Sequence, residues 1–188
     1  MKTDIIVIDN FYDNPDDIRH AAITNFKFHE SSNYKGFRAV ESFRTEEAHR
    51  KLSVLLGFEP KYVGASWEFH YTLAGTPEVY HTDGSISKWG AIWYGVPNAP
   101  LESGTAFYKS KINGFRNMET DSDLFMEAHN VPPPYCFIDP TRWHIIDIVG
   151  NIYNRLVLFR GNLVHSMQKP FGYSKETGRL TQLWFISE

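Results

Sequence analysis

The sequence has only one cysteine and no long apolar run, and each shortage excludes a class of protein. Cys136 is the single cysteine among 188 residues, so an intramolecular disulfide is impossible. A lone cysteine of this kind is more often a small apolar core residue than a catalytic thiol. The apolar residues 5–8 near the N-terminus are too few for a signal peptide, and no stretch approaches the roughly 18 apolar residues of a membrane span. We therefore expect a soluble, cytoplasmic protein.

The chain also lacks a large excess of charge of either sign. Its 19 Lys and Arg against 22 Asp and Glu give a formal net charge of −3 at pH 7, without a basic run or an acidic tail. Duplex nucleic acid is bound by basic patches, so we expect no nucleic-acid partner. Aromatic residues are abundant instead, with 14 Phe, 10 Tyr and 5 Trp. Aromatic-rich chains punctuated by Gly and Pro favour β structure.

The length predicts a single domain, residues 1–188, that is large enough for two packed sheets. Residues 1–66 read as a buried strand at 5–8 followed by helices. Asn14 is the expected cap of the first helix, with Pro15 at its first position. The second helix is expected to begin at Thr45 and to end at Gly57.

From Trp67 onward the pattern changes to short strands separated by turn residues. A polar, Pro-rich segment at 110–142 reads as an insert or lid with a short helix at 123–129. Gly150-Asn151 predicts a two-residue hairpin turn between two of the strands. The expected strands are 67–73, 79–83, 89–96, 104–109, 143–149, 152–159, 163–167 and 178–187. This count after the N-terminal helices predicts a mainly β (α+β) protein, a double-stranded β-helix (jelly-roll) barrel with helices packed outside and a site in its mouth.

Three residues in this pattern suit a metal ion. Side chains two apart in a strand point to the same face, so His81 and Asp83 can bind one ion. His165 ends a later apolar strand, which a barrel brings close regardless of its distance in sequence. Two His and one carboxylate form the facial triad of non-haem ferrous sites, which leaves coordination positions open. A single His is more often a core or surface residue, but the three together favour a metal site.

Arg179 begins the last strand, where strand parity places it on one face with Thr181. A guanidinium and a hydroxyl at this spacing can donate to one carboxylate, such as that of a keto acid bound to the metal. Arg155 and Arg160 compete for this role but lie next to turn-like Asn154 and Gly161, and therefore read as peripheral. His70 lies in a strand and is a weaker candidate for substrate contact.

These motifs together resemble the iron(II)- and 2-oxoglutarate-dependent oxygenases, in particular the prolyl-hydroxylase-like members. The resemblance extends from Tyr71 through the His-x-Asp doublet, residues 104–107, His165 and residues 179–181, and includes residues 7–11 near the N-terminus. It implies that His81, Asp83 and His165 bind iron and that 2-oxoglutarate contacts Arg179, Thr181, Tyr71 and Thr105. One departure is the 14-residue gap from His165 to Arg179, longer than the roughly ten residues common in the family.

The resemblance implies an enzyme that uses Fe(II), 2-oxoglutarate and O2 to hydroxylate an unactivated C–H bond, with release of succinate and carbon dioxide. The presence of Asp83 argues against the halogenases of the superfamily, which lack this carboxylate. We expect a small-molecule substrate such as an amino acid or a natural-product intermediate, although a protein or peptide side chain also suits this chemistry. The same residue pattern would fit a cupin-like metal dioxygenase or a binding module, neither of which would use 2-oxoglutarate.

Overall fold

The computed structural model describes residues 3–30, 35–112, 114–117 and 139–188. These residues form two α-helices, α1 (Pro15–Asn25) and α2 (Glu46–Leu56), and eleven β-strands. The strands are β1 (Ile5–Ile8), β2 (Phe28–Glu30), β3 (Phe37–Ser42), β4 (Lys61–Tyr62), β5 (Glu68–Thr72), β6 (Trp89–Tyr94), β7 (Thr105–Ser110), β8 (Trp143–Val149), β9 (Leu156–Arg160), β10 (His165–Met167) and β11 (Arg179–Ser187).

The strands form two antiparallel sheets. The large sheet has the order β1-β9-β6-β11-β5-β3-β2, and β4 also pairs with β11. The small sheet has the order β10-β7-β8. A bridge between His81 and His165 attaches the segment before β6 to the small sheet, beside β10. Consecutive strands often belong to different sheets, which is the topology of a rolled-up jelly roll rather than of a simple meander.

Strand parity divides the core into two layers. On β11, Leu183 points towards a cluster that includes Ile92 of β6, Phe107 of β7 and Phe159 of β9, and this cluster fills the space between the sheets. The even-numbered residues of β11 pack on the opposite side with residues of both helices. The large sheet is thus covered by helices on one face and by the small sheet on the other.

Local sequence signals account for the ends of α2. The Thr45 side chain accepts a hydrogen bond from the backbone N–H of Ala48 at 3.2 Å and so caps the first turn. Gly57 ends the helix in the left-handed region, with φ of 75°, and its N–H donates to the carbonyl of Ser53. Both predicted ends of this helix are confirmed. Neither helix in the described part of the chain is long and apolar enough to cross a membrane.

We expect Thr45→Ala to destabilise the protein by about 1 kcal/mol, because the orphaned N–H of Ala48 loses its partner. Urea unfolding followed by circular dichroism measures this free energy. Thr24→Ala is the matched control, since the Thr24 hydroxyl bonds a carbonyl at the exposed end of α1. Equal stability of Thr45→Ala and wild type would contradict the capping role.

The structure corrects the predicted N-terminal region. Residues 1–66 were expected to form one strand and helices, but β2, β3 and β4 also lie there. Strands β2 and β3 extend the large sheet beyond β5. The Asn14 side chain makes no capping hydrogen bond, although α1 begins at Pro15 as expected.

The predicted hairpin at Gly150-Asn151 is wrong. Strand β8 pairs with β7 in the small sheet, whereas β9 pairs with β1 and β6 in the large sheet. Residues 150–155 therefore cross between the sheets, and the residue with positive φ in this connection is Asn154, at 62°. Of the predicted segment 110–142, residues 118–138 lie outside the described residues, and with them Cys136 and the expected helix at 123–129.

Candidate metal and co-substrate site

His81, Asp83 and His165 come together between the two sheets. One potential ligand atom from each residue lies within 4.8 Å of those of the other two. The Nε2 atom of His81 is 3.8 Å from one carboxylate oxygen of Asp83, and the Nε2 atom of His165 is 3.6 Å from the other. Asp83 and His165 are buried, whereas about a third (36%) of the His81 side chain is exposed. The three donors thus face one another, and His81 is the most exposed of the three.

Each histidine is oriented by a carbonyl two residues earlier in its own chain. The Nδ1 atom of His81 lies 3.0 Å from the Val79 carbonyl oxygen, and that of His165 lies 2.9 Å from the Leu163 carbonyl oxygen. Because a carbonyl can only accept, Nδ1 carries the hydrogen in both rings. The unprotonated Nε2 atoms, which face Asp83, are then free to bind a cation.

Backbone hydrogen bonds hold the three segments in register. His81 and His165 exchange N–H···O bonds of 3.1 and 2.9 Å, so their side chains emerge side by side. The Asp83 N–H donates to the Gly161 carbonyl at 2.7 Å. The predicted strand at 79–83 is in fact reduced to an isolated pairing around His81. The doublet therefore depends on these few bonds rather than on a regular strand.

The donor set fits a divalent transition metal ion. Imidazole and carboxylate ligands suit iron(II), and three ligands on one side leave positions open. Burial lowers the pKa of His165 to about 4, with a further contribution from His81, so the ring is neutral near pH 7 as a ligand must be. The ring of Phe159 packs 4.5 Å from that of His165 and keeps this side of the site dry.

Arg179 lies on the same inter-sheet face, as parity predicted. Its side chain is 3% exposed and its guanidinium lies over the ring of Tyr94. Nε donates to the Ser103 carbonyl at 2.7 Å and Nη2 to the Gly104 carbonyl at 3.1 Å. No carboxylate contacts Arg179 in the part of the chain that is described, and burial lowers the pKa of its guanidinium. Buried charges are normally paired, so this end of the barrel suits an anion.

The two predicted threonines are also on the inter-sheet side, with different hydrogen bonds. Thr181 donates its hydroxyl hydrogen to the His70 carbonyl at 3.1 Å, so that hydrogen is already used. Thr105 accepts from the Tyr94 hydroxyl at 2.7 Å and keeps its own hydrogen for another acceptor. Thr105 follows directly on Gly104, whose carbonyl binds Arg179. Thr105 is therefore the better placed of the two to donate to an anion beside Arg179.

The structure does not bring Tyr71 to this site. Tyr71 pairs with Leu180, which faces the helices, and its ring stacks on Phe37 at 4.7 Å and meets Phe28 at 4.9 Å. It lies on the opposite face of the sheet from Arg179, so the co-substrate contact expected from the resemblance has no support here. The two aromatic partners of Tyr71 come from β2 and β3, which the sequence pattern did not predict.

The two competing arginines are engaged elsewhere. Arg155 makes two hydrogen bonds to the carboxylate of Asp9, at 2.6 and 2.9 Å. Arg160 lies 3.9 Å over the ring of Trp89, on the helix-covered side of the large sheet. Both positions agree with the peripheral reading of these residues.

Three inward-facing residues were not singled out from the sequence as site residues. Tyr94 lies between Arg179 and Thr105, and its interior position follows from parity once the pairing of β6 with β11 is known. Arg38 of β3 is buried on the same face, because β3 pairs with β5. A carboxylate oxygen of Glu68 lies 3.6 Å from Nη1 of Arg38. The sequence offered no signal for Arg38, since β3 itself was not predicted.

Solved structures with a similar fold include two prolyl hydroxylases and a carbocyclase. A prolyl hydroxylase from Trichoplax adhaerens, in complex with a peptide fragment of the hypoxia inducible factor oxygen degradation domain, matches with a TM-score of 0.52 and 13% identity, over 97% of this chain and 83% of that one. A Pseudomonas putida prolyl-4-hydroxylase matches with a TM-score of 0.50 and 11% identity, over 97% of this chain and 92% of that one. The non-haem alpha-ketoglutarate-dependent carbocyclase SnoK from nogalamycin biosynthesis matches with a TM-score of 0.52 and 12% identity, over 97% and 79%.

These similarities confirm the predicted fold, a double-stranded β-helix with helices outside, and at such low identity they concern the fold alone. No curated protein matches the sequence significantly. A family model described as a family of unknown function, DUF6445, matches residues 73–186, which include the histidines and aspartate of the cluster and Arg179. Since this match spans more than half of the chain, the protein belongs to the DUF6445 family.

Proposed function

We propose that this protein is an iron(II)- and 2-oxoglutarate-dependent dioxygenase that hydroxylates an unactivated C–H bond. One observation carries the proposal: the inter-sheet space holds both a His-Asp-His cluster and a buried Arg179 that no described carboxylate contacts. A neutral or purely structural barrel has no use for such an arginine, because burying an unpaired charge is costly. A dicarboxylate that chelates the metal at one end and reaches the arginine at the other satisfies both features.

The residues of the cluster have distinct roles in this proposal. His81, Asp83 and His165 hold the iron and leave open positions for 2-oxoglutarate and O2. The bound iron supplies the chemistry, which is the oxidative decarboxylation of 2-oxoglutarate to succinate coupled to oxidation of the substrate C–H bond. The carbonyls of Val79 and Leu163 keep the hydrogens of both imidazole rings on Nδ1.

Arg179 binds the far carboxylate of 2-oxoglutarate. A guanidinium has five N–H donors, and the Ser103 and Gly104 carbonyls use two of them. These two bonds fix the plane of the group while the remaining donors stay available for a carboxylate. Thr105 adds a hydroxyl donor, and Phe107 and Phe159 exclude water from the space between the sheets. The expected small-molecule substrate stays a prediction.

Incubation of the protein with Fe(II), 2-oxoglutarate and O2 tests this function. We expect succinate and carbon dioxide to be released in amounts that depend on all three. This test does not require the final substrate, because it measures the turnover of 2-oxoglutarate in its absence. Oxygen uptake without succinate would favour the cupin-like dioxygenase instead. If the protein neither binds iron nor takes up oxygen, a binding module is favoured. Each of these two outcomes would end the proposal of a 2-oxoglutarate-dependent enzyme.

A further inference from the structure

Phe159 of β9 lies between the large sheet and the imidazole of His165. Its side chain belongs to the cluster between the sheets and is 1% exposed. The centre of its ring is 4.5 Å from that of His165, and the two planes are tilted by 58°. The ring of Phe107, on the small sheet, has its centre 5.3 Å from that of Phe159. The Phe159 ring is therefore in contact with a proposed metal ligand and has a further ring beside it.

Gly90 of β6 leaves room for this ring. Gly90 is paired directly with Phe159 in the large sheet, so the side-chain positions of the two residues share a face. A Cβ atom at residue 90 would be 2.7 Å from Cζ and 2.8 Å from Cε2 of Phe159. Carbon atoms in contact are normally about 3.5–4.0 Å apart. The Phe159 ring thus occupies the volume that a side chain at residue 90 would fill.

The backbone conformation does not require glycine at residue 90. Gly90 lies inside β6, where the chain is extended and alanine fits equally well. Glycine weakens the interior of a strand and often marks a site where another group approaches closely. The group that approaches here is the Phe159 ring, and the same ring contacts His165.

The hydrogen bond to the Leu163 carbonyl does not by itself fix the plane of the His165 ring. It sets the position of Nδ1 and the tautomer, but the torsion between Cβ and the ring has broad minima in histidine. Neighbouring rings limit this torsion, with centres at 4.5 Å for Phe159 and 4.4 Å for His81. Since His81 is itself a proposed ligand, Phe159 is the one of these two contacts that belongs to the scaffold.

Residues 159–161 support two of the proposed ligands. The Phe159 ring packs on His165, and the Gly161 carbonyl accepts the Asp83 N–H at 2.7 Å. Strand β9 is paired with β1 on one side and with β6 on the other. A strand held on both sides is a rigid support, which suits a site that needs narrow tolerances.

We propose that Phe159 is a positioning residue for the His165 ligand and that Gly90 provides the space in which its ring does so. This inference rests on the proposed function for the role of the metal, and it adds a determinant of ligand orientation. The ring offers no ligand atom. It holds the imidazole so that Nε2 faces the carboxylate of Asp83, 3.6 Å away. Metal–ligand distances tolerate deviations of about 0.2 Å, so a small rotation of the imidazole lowers the affinity for the ion.

Gly90→Ala tests this coupling without altering a proposed ligand. The added methyl group requires the Phe159 ring to move by roughly 1 Å, and the neighbours of that ring include His165 and Phe107. We expect the affinity for Co(II), a spectroscopic probe in place of Fe(II), to fall about tenfold or more, as when a partner that orients a metal ligand is lost. The visible absorption of the Co(II) complex should change too, because it depends on ligand geometry. Titration against a competing chelator, without oxygen, measures both.

Phe159→Leu and the double variant complete a double-mutant cycle. Phe159→Leu removes the ring without adding atoms, and it should also lower the Co(II) affinity and alter the spectrum. In this background Gly90→Ala should change the affinity by less than about twofold, because the ring through which it acts is gone. Phe159→Leu decides the question alone if Gly90→Ala does not fold.

Gly95→Ala is the matched control. A Cβ atom at residue 95 would be 2.6 and 2.9 Å from two ring atoms of Trp93, a similar clash, but Trp93 belongs to the core on the helix side. This variant should lose stability and keep the wild-type Co(II) affinity. The inference fails if Gly90→Ala or Phe159→Leu binds Co(II) like wild type with the same spectrum. It also fails if Gly95→Ala loses as much affinity, or if Gly90→Ala acts equally without the ring.

The Co(II) titrations contain no 2-oxoglutarate, so their outcome is independent of the turnover test. The expected cycle in a protein that releases no succinate would keep the positioning role of Phe159 and end the proposed function. Succinate release together with wild-type Co(II) binding in Gly90→Ala would keep the proposed function and end the positioning role.

Discussion

Arg179→Ala is expected to weaken the binding of 2-oxoglutarate to the iron-loaded protein by about a hundredfold to a few thousandfold. The proposed partner of Arg179 is the far carboxylate of 2-oxoglutarate, in a space where the arginine is only 3% exposed. Removing one member of a buried charge pair costs about 3–5 kcal/mol, which corresponds to this loss of affinity. Anaerobic titration, followed through the charge-transfer absorption of the iron complex, measures the dissociation constant directly.

Arg179→Lys should fall between wild type and Arg179→Ala. Lysine keeps the charge but loses the planar donor geometry that holds both the Ser103 and Gly104 carbonyls and a carboxylate. Iron binding should survive both changes, because Arg179 is not a ligand. Arg155→Ala is the control, since Arg155 is paired with Asp9. Wild-type affinity in Arg179→Ala would place the anchor elsewhere.

His165→Ala should reduce iron affinity by at least about a hundredfold, which is the upper end of the loss seen when an outer-shell partner of a metal ligand is removed. A ligand itself contributes more, and His165 is one of only three donors in the described cluster. Equilibrium dialysis with metal analysis gives the stoichiometry and affinity. His144→Ala on the exposed side of β8 is the control and should bind like wild type. Full iron occupancy in His165→Ala, with an unchanged melting temperature, would refute the assignment.

The parts of the structure that were predictable depend on short-range signals. Thr45 and Gly57 mark the ends of α2 through contacts within one helical turn. The inward face of β11 follows from the alternation of side chains, which is why Arg179 and Thr181 were assigned together. The two-residue spacing of His81 and Asp83 is the short-range signal for the proposed metal doublet. Its geometry in the structure also depends on backbone bonds to His165 and Gly161, which lie far away in sequence.

The errors arose where long-range pairing decides the outcome. Tyr71 and His70 are adjacent, and only the register of β5 against β11 places His70 inwards and Tyr71 outwards. A Gly-Asn turn favours a hairpin locally, but β8 and β9 find their partners in different sheets. Arg38 was missed because β3 gains its place in the large sheet by pairing with β5. None of these pairings is encoded in a short window of sequence.

His81 and His165 are joined directly by two reciprocal backbone hydrogen bonds. Their relative position therefore does not depend on how many residues lie between them in the sequence. Direct N–H···O contacts set their spacing, so we expect the two imidazoles to keep their spacing when the connection from β7 to β8 changes in length. Lengthening such a connection costs little, because loop-closure entropy grows only with the logarithm of its length. This connection can therefore diverge among relatives, in length as well as in sequence, while the same three ligands stay in place.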